Sequence, residues 1–250
     1  MSFKIFSTTL LVFLIMTASA VFSMLKIAEI NEQLHLISKV YNPLRNLASE
    51  IEIIFLEENI EIERIEKIES ELRELELEKN QLNNEKNKEN IANTDESNLT
   101  EKSDEFIQAE ISQLNKELSS DVALYEKYFT HVSELVRSVE AELEKAQKLT
   151  KNVDEKIALA ALNATVIAIE LQHENFHERS VSLISNRDIL FKNRLTLEAQ
   201  LADDADKLIV QLDKLREDIT AFSDTAIERA AELESLALKS AIIATIAAGL

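Results

Sequence analysis

The sequence predicts an all-α protein, an elongated antiparallel four-helix bundle with coiled-coil-like packing, and three observations lead to this prediction. The 250 residues include one Gly and one Pro, against about 7% and 5% in an average protein. Tight turns depend on these residues, so the chain can make few turns and its elements must be long. Apolar residues recur in alternate steps of three and four, as in packed helices. An apolar, uncharged segment lies near each chain end, which indicates an N-terminal transmembrane helix and the start of a second one at the C-terminus.

The N-terminal segment, residues 1–26, is predicted to be a transmembrane helix. Ile5–Leu25 is a run of 21 uncharged residues between Lys4 and Lys26. As a helix this run matches the roughly 30 Å hydrocarbon core of a bilayer. The alternative is a secretory signal peptide cleaved after Ala20. Both interpretations place the bulk of the chain outside the cytoplasm.

The C-terminal segment, residues 240–250, reads SAIIATIAAGL and carries no charge. As a helix it would span about 16 Å, which is too short to cross a bilayer. Its residues would be apolar on every face. We therefore expect it to be the truncated start of a second transmembrane helix, with a buried tail as the alternative.

Two apolar seams predict which helix faces are buried in residues 27–239, which we expect to form the bundle. Eleven of twelve positions in the first seam and ten of eleven in the last are apolar. The first seam consists of Ile27, Ile30, Leu34, Ile37, Tyr41, Leu44, Ala48, Ile51, Phe55, Glu58, Ile62 and Ile65, and the last of Leu201, Ala205, Leu208, Leu212, Leu215, Ile219, Phe222, Ala226, Arg229, Leu233 and Leu236. Each buried Leu or Ile stabilises the fold by about 1.5–3 kcal/mol, so these seams require partner helices.

Three breaks divide these residues into helices. The longest is an Asn- and Glu-rich loop at about 83–104, a weaker break lies at 150–155, and the third lies at 185–188, where Asn186 and Asp188 suit helix caps. The predicted helices are 27–85, 104–150, 153–185 and 188–239. When these helices alternate in direction their lengths nearly cancel, which predicts that the last one returns to the membrane beside the first.

Two residues of the first helix depart from its apolar pattern. Pro43 cannot donate a hydrogen bond to the carbonyl of Lys39, so we expect a bend there. Glu58 is the one charge in the seam, and Arg64 lies about two turns further on. Since a buried carboxylate must be paired or neutralised, Glu58 and Arg64 are our candidate binding or register site. The alternative is an exposed Glu58 at a point where the seam shifts phase.

The sequence HENFH at residues 173–177 matches the H-E-x-x-H pattern of zinc proteases. Only Glu198 offers a third ligand downstream, no strand is predicted to hold a substrate, and Gly is nearly absent, which argues against a protease. A ferritin-like di-iron site is excluded because His35 and His177 fall at different heights along the bundle.

A metal site formed by His131, His173 and His177 agrees with the predicted heights of these residues. The simpler interpretation is that one histidine is hydrogen-bonded on a bundle face while the other is solvated. We favour this interpretation and expect no enzymatic activity and no cofactor.

The charge and the absence of Cys exclude other classes of protein. The net charge is −19 and there is no Cys. Such an acidic surface repels nucleic acid, so a nucleic-acid partner is not expected. Disulfides and thiolate metal sites are excluded outright.

Helix residues at several positions resemble one family. The matching residues are Tyr41-Asn42-Pro43-Leu44, Leu56-Glu57, Ile60, Glu63-Arg64, Ile169-Glu170, His173, Phe176-His177, and Ala221-Phe222-Ser223 through Ala230 and Glu234. Together they resemble the sensor region of bacterial methyl-accepting chemotaxis receptors of the HlyB-like four-helix-bundle type, and similar regions precede bacterial nucleotide cyclases. Residues 66–104 have no counterpart in this resemblance.

The resemblance implies a membrane-anchored sensor, the input module of a chemoreceptor-like signal-transduction protein. It would be a homodimer in the inner membrane, with the bundle on the periplasmic side and an unidentified small molecule or protein as stimulus. Stimulus-dependent helix shifts would cross the membrane to a cytoplasmic signalling module that is absent from this chain. Glu170, His173 and His177 would then be structural positions. The alternative is a passive membrane-tethered helical spacer or adaptor, and a metalloenzyme comes third.

Overall fold

The computed structural model describes residues 2–89, 97–150, 152–185 and 191–249. Every residue in these ranges except Thr150 and Asn152 is helical, and none of them is in a strand. The elements are α1 (Ser2–Leu36), a π-helical turn (Ile37–Tyr41), α2 (Asn42–Glu89), α3 (Ser97–Leu149), α4 (Val153–Ser185) and α5 (Phe191–Gly249). The predicted all-α class is confirmed for the described residues.

The helices extend further than the sequence predicts. The loop expected at 83–104 is helical up to Glu89 and again from Ser97, and residues 90–96 lie outside the described residues. Glu and Lys, which are frequent here, favour a helix even where no apolar seam continues. Most of the break predicted at 185–188 also lies outside the described residues.

The predicted break near residue 150 is present, since α3 ends at Leu149 and α4 begins at Val153. Asn152 caps α4, because its side-chain oxygen accepts a hydrogen bond from the backbone N–H of Asp154 at 2.9 Å. Asp154 and Glu155 follow in the first turn of α4, where carboxylates interact favourably with the helix dipole.

The chain forms two compact units. Unit 1 comprises Met1–Ser49, Arg137–Ala168 and Gln211–Leu250, and unit 2 comprises Glu50–Val136 and Ile169–Val210. Each unit buries apolar side chains from α2, α3, α4 and α5. Those of unit 1 include Leu44, Ala48, Val139, Leu143, Leu159, Leu162, Leu212 and Leu215, and those of unit 2 include Ile51, Phe55, Tyr125, Val132, Ile169, Phe176, Leu201 and Leu208.

The first predicted seam agrees with the structure from Tyr41 onward. All its positions from Tyr41 to Ile65 are buried, including Glu58. Before Tyr41 the buried residues are instead Gln33, Leu36 and Val40, so the predicted face is displaced by one residue. In the last helix the seam is buried from Leu201 to Ile219 and at Ala226.

The π-helical turn explains the displaced face. The N–H of Asn42 donates to the carbonyl of Ile37, five residues earlier, so the turn contains one more residue than an α-helical turn. Pro43 follows directly; it has no N–H, and its ring would crowd the carbonyl four residues before it in an α-helix. The sequence predicts a bend at Pro43, and the structure has an inserted residue in the turn before it, which shifts the buried face by one position.

Candidate functional site

Each unit contains a buried polar cluster. In unit 2, Glu58, Tyr125, Phe129, His173 and His177 form what we call the histidine cluster. In unit 1, Gln33, Tyr41, Thr150, Glu155 and Arg229 form what we call the Glu155 cluster. The candidate residues Glu58, His173 and His177 belong to the first, and the sequence did not predict the second.

Glu58 is paired with His173 in the interior of unit 2. The Glu58 Oε2 atom lies 2.8 Å from His173 Nε2, with the side chains 0% and 2% exposed. Glu58 Oε1 has no hydrogen-bond partner among the described residues. Burial raises the pKa of Glu58, and the hydrogen bond and charge of His173 oppose that rise. The alternative of an exposed Glu58 is therefore wrong, because the carboxyl is enclosed and its partner comes from α4.

His177, one helical turn after His173, is bonded to a different residue. Its Nδ1 lies 2.8 Å from the hydroxyl of Tyr125, and burial raises the pKa of that hydroxyl, which keeps its proton. When the hydroxyl donates to Nδ1, the imidazole carries its own proton on Nε2, which lies 4.0 Å from Glu126. Burial lowers the pKa of His177, although Glu126 acts in the opposite direction.

Aromatic rings hold both imidazoles in place. Phe129 stacks on His173 and His177 with ring centroids 4.9 and 3.5 Å apart. Phe55 meets His173 edge to face at 6.1 Å. Such contacts are worth about 0.5–1.5 kcal/mol each beyond the area they bury. The rings fix the imidazole planes, so the cluster is a rigid part of the core.

The three candidate metal ligands have separate partners. His131 lies 4.0 Å from Glu50 and is 42% exposed, whereas His173 and His177 are bonded to Glu58 and Tyr125. No group of three or more His, Asp or Glu side chains in the described parts of the chain is arranged to hold a metal ion. The two histidines of the HENFH motif are therefore both engaged and do not form a vacant ligand pair.

Arg64 does not meet Glu58. Its side chain is 55% exposed, and its guanidinium pairs with Glu61 at 3.0 Å and Asp121 at 3.6 Å. Glu58 pairs with His173, and Arg64, about two helical turns further on, pairs with Glu61 and Asp121. These two residues therefore do not form a joint site.

Glu198, the only downstream zinc-ligand candidate, is also engaged. Its carboxylate accepts a 2.8 Å hydrogen bond from Arg194 Nε, and Arg194 donates through a second nitrogen to Glu69 at 2.8 Å. Beside these residues Glu66 lines a cleft of about 190 Å³. Burial and then the charge of Glu198 raise the pKa of Glu66 to about 7.

Glu155 connects three parts of unit 1. Its Oε1 accepts hydrogen bonds from Arg229 of α5 at 2.6 Å and from Gln33 of α1 at 3.3 Å. Its Oε2 accepts one from the Thr150 hydroxyl, just before α4. One carboxylate near the start of α4 thus connects two helices. It joins the part of α1 that follows the N-terminal apolar segment to the part of α5 that precedes the C-terminal apolar segment.

A cleft lies next to Glu155. It has a volume of about 100 Å³, and its lining includes Tyr41, Glu155, Phe222, Thr225 and Arg229. Burial and then the charge of Glu155 raise the pKa of Tyr41 to about 12, so its hydroxyl stays protonated. The lining of this cleft therefore combines hydroxyls, a guanidinium, a carboxylate and an aromatic ring.

The two apolar ends of the chain touch within unit 1. The hydroxyl of Ser19 donates to the backbone oxygen of Ser240 at 2.7 Å, and the hydroxyls of Ser23 and Ser240 lie 2.7 Å apart. One helical stretch among the described residues, Thr9–Asn84, which runs from α1 through the π-helical turn into α2, is long and apolar enough to cross a membrane, and its most apolar part is not buried. Length and composition alone do not distinguish such a helix from a signal sequence.

Comparisons with known proteins give no further identification. No protein-family model matches the chain, and neither the curated proteins nor the solved structures gave a match. The resemblance to chemoreceptor sensor regions therefore stays a prediction based on residues.

Proposed function

We propose that the protein is the membrane-anchored sensory input module of a chemoreceptor-like signal-transduction protein. In this proposal α1–α2, α3, α4 and α5 form an antiparallel four-helix bundle on the periplasmic side of the inner membrane. The N-terminal apolar segment crosses the membrane, and residues 240–250 begin a second crossing. The protein acts as a homodimer, and it transmits a stimulus and does not catalyse a reaction.

The contact between the apolar segments supports this proposal. Ser19, Ser23 and Ser240 bring the first and last helices side by side at the ends rich in exposed apolar residues. Small hydroxyl residues are typical of helix contacts inside membranes, where they allow close approach and hydrogen bonding. A sensor needs this arrangement, because its message is a change in how one membrane helix lies against the other.

The Glu155 cluster is the single observation that most supports a sensory role. Gln33 lies seven residues after Lys26, and Arg229 lies eleven residues before Ser240. Glu155 holds both, so a molecule in the adjacent cleft that competes for Arg229 would alter the relative position of α1 and α5. Such a molecule shifts the protein only if it binds the two helix arrangements with different affinity.

A chimera tests this function. The full chain is joined after Leu250 to the rest of a second transmembrane helix, a HAMP-like coil and a kinase-controlling module, and kinase output is compared between wild type and Glu155→Gln. If α1 and α5 carry a signal, breaking the link to Arg229 changes the output by about fivefold or more, a common allosteric coupling. The control Lys148→Gln removes an exposed ion pair with Glu144 and leaves output unchanged. A passive spacer gives the same output in all three chains, and that result would refute the proposal.

A further inference from the structure

Helix α4 carries two apolar seams, and only one of them is buried. The inner seam packs into the core of each unit. The second seam, which we call the outer stripe, follows steps of four and three residues and consists of Val153, Ile157, Ala160, Ala164 and Ile167, all exposed and all in unit 1. Steps of four and three keep these residues on one helix face, as in the seam of a coiled coil.

From Ile157 onward the outer stripe lies in a stretch without charge. Residues 157–169, IALAALNATVIAI, contain no Asp, Glu, Lys or Arg, and this is the longest such run between Lys26 and Lys239. A helix that is apolar all round is normally buried on all sides. Here Val153 is 68% exposed, Ile157 65% and Ile167 50%, so the helix lacks a partner on this face.

Charge identifies the partner as a second copy. The chain carries a net charge of −19, and two copies repel each other wherever their acidic surfaces approach. From Ile157 to Ile167 the outer stripe is a face where no charge opposes contact, and Ala160 and Ala164 let two backbones come close. A membrane surface is a poor alternative, because interfacial helices carry Lys or Arg beside their apolar face, and Lys156 is the only Lys or Arg between Asn152 and Asn175.

The helix-one face is a weaker candidate for the same contact. Ile53, Leu56 and Ile60 of α2 are exposed, but Glu57 and Glu63 are exposed beside them. In a symmetric dimer this face would meet the same face of the second copy, so these carboxylates would be brought near one another across the interface.

We propose that the outer stripe of α4 is the surface through which two copies of this chain associate. The inference rests on one part of the proposed function, the membrane anchor, because that anchor places both copies in one membrane and in the same orientation. The two α4 helices then meet near Ala164, with Ile157 and Ile167 on either side of the crossing.

Cysteine cross-linking tests the proposal cleanly, because the chain has no Cys. Single-Cys variants of the full chain, Ala164→Cys, Ile60→Cys and Glu144→Cys, are reconstituted in phosphatidylcholine vesicles and oxidised. We expect a cross-linked dimer for Ala164→Cys at about ten times the yield of Glu144→Cys, because association raises the local concentration of the paired thiols. Adding Ile157→Lys to Ala164→Cys should reduce the yield to that of Glu144→Cys, and circular dichroism checks that this exposed change leaves the helix content intact.

Several outcomes would overturn this proposal. One is an Ala164→Cys yield no higher than that of Glu144→Cys. Another is efficient cross-linking of Ile60→Cys without Ala164→Cys, which would assign the dimer to helix one. If the chimera fails to signal while Ala164→Cys still cross-links, the sensory role is lost but the interface stands.

Discussion

At the scale of single residues, the chain buries ionisable groups in specific pairs. The pairs Glu58–His173 and Arg194–Glu69 are enclosed in unit 2, and Glu155 connects three segments of unit 1. A buried pair is only weakly stabilising as a whole, yet loss of one partner is costly because the other stays uncompensated. Such pairs specify which helix faces meet.

The Glu58–His173 pair gives the first prediction. His173→Leu leaves the Glu58 carboxyl enclosed without its partner, so the free energy of unfolding should fall by about 3–5 kcal/mol. The double variant Glu58→Leu/His173→Leu should recover to within about 1 kcal/mol of wild type, since an apolar pair can replace a buried ion pair. Denaturant unfolding of the full chain in detergent, followed by circular dichroism, measures both. His131→Leu, on an exposed side chain, is the matched control; a double variant as unstable as the single one would contradict the prediction.

Glu66 gives a prediction about pH. Its pKa is raised to about 7 in the folded chain from 4.5, so the folded state holds a proton that the unfolded state releases between these values. The contribution of this carboxyl to stability is therefore complete below pH 4.5 and is lost as the pH rises to 7. Glu66→Gln should raise the free energy of unfolding at pH 8 by about 1 kcal/mol, allowing for solvent screening of a half-buried group.

The measurement for Glu66 compares unfolding of wild type and variant at pH 4.5 and pH 8. At pH 4.5 both side chains are largely neutral and the two curves should nearly coincide. Glu74→Gln, an exposed position on the same helix, should have no effect at either pH. Equal stabilisation by Glu66→Gln at both pH values would show that burial does not perturb this carboxyl.

At the scale of elements, the π-helical turn decides which face of α1 is buried. The apolar spacing continues through residues 27–41 without a visible fault, since Ile30, Leu34 and Ile37 fit the seam as well as Gln33, Leu36 and Val40 do. The inserted residue selects the second set. Pro43 was the one signal in the sequence, and it indicated a distortion without indicating its direction.

Deletion of the inserted residue tests this explanation. Removing Ser38 together with Pro43→Ala should convert the turn to regular α-helix and keep Gln33, Leu36 and Leu44 on one face, at a cost below about 1 kcal/mol. Removing Arg45 with Pro43→Ala instead rotates everything before it by about 100° relative to Ala48 and should cost more than about 3 kcal/mol. Thermal unfolding compares the two deletions. Equal losses would mean that the extra residue at Ile37–Tyr41 does not set the register.

At the scale of the whole molecule, the sequence predicted helices better than it predicted sites. The long seams predicted the buried positions from Tyr41 to Ile65 and those of α5 from Leu201 to Ile219, because burial there follows one repeating step. The Glu155 cluster was missed because Gln33, Thr150, Glu155 and Arg229 are far apart in the chain and only folding brings them together. One signal existed: Arg229 is the single charge in the last seam, as Glu58 is in the first, and each lies at a buried polar cluster.

The contact between the chain ends gives a prediction at the same scale. The double variant Ser23→Cys/Ser240→Cys should form a disulfide within one chain in phosphatidylcholine vesicles, since the native hydroxyls are 2.7 Å apart. Electrophoresis with and without reductant detects the change in mobility. Thr17→Cys/Ser240→Cys, with the first thiol on an exposed position of the same helix, is the control and should stay reduced. Equal oxidation of both pairs would mean that the two helices lack a fixed register.

The serines at these helix ends also set a limit on sliding. Ser19 and Ser23 are one turn apart on α1, and both reach Ser240, while the positions one turn beyond on either side, Ile15 and Ile27, have no hydroxyl. The two serines therefore provide two hydroxyl contacts to α5, one helical turn apart. If α5 moves along α1 and keeps a hydroxyl contact, its displacement along the helix axis cannot exceed the rise of four residues, about 6 Å.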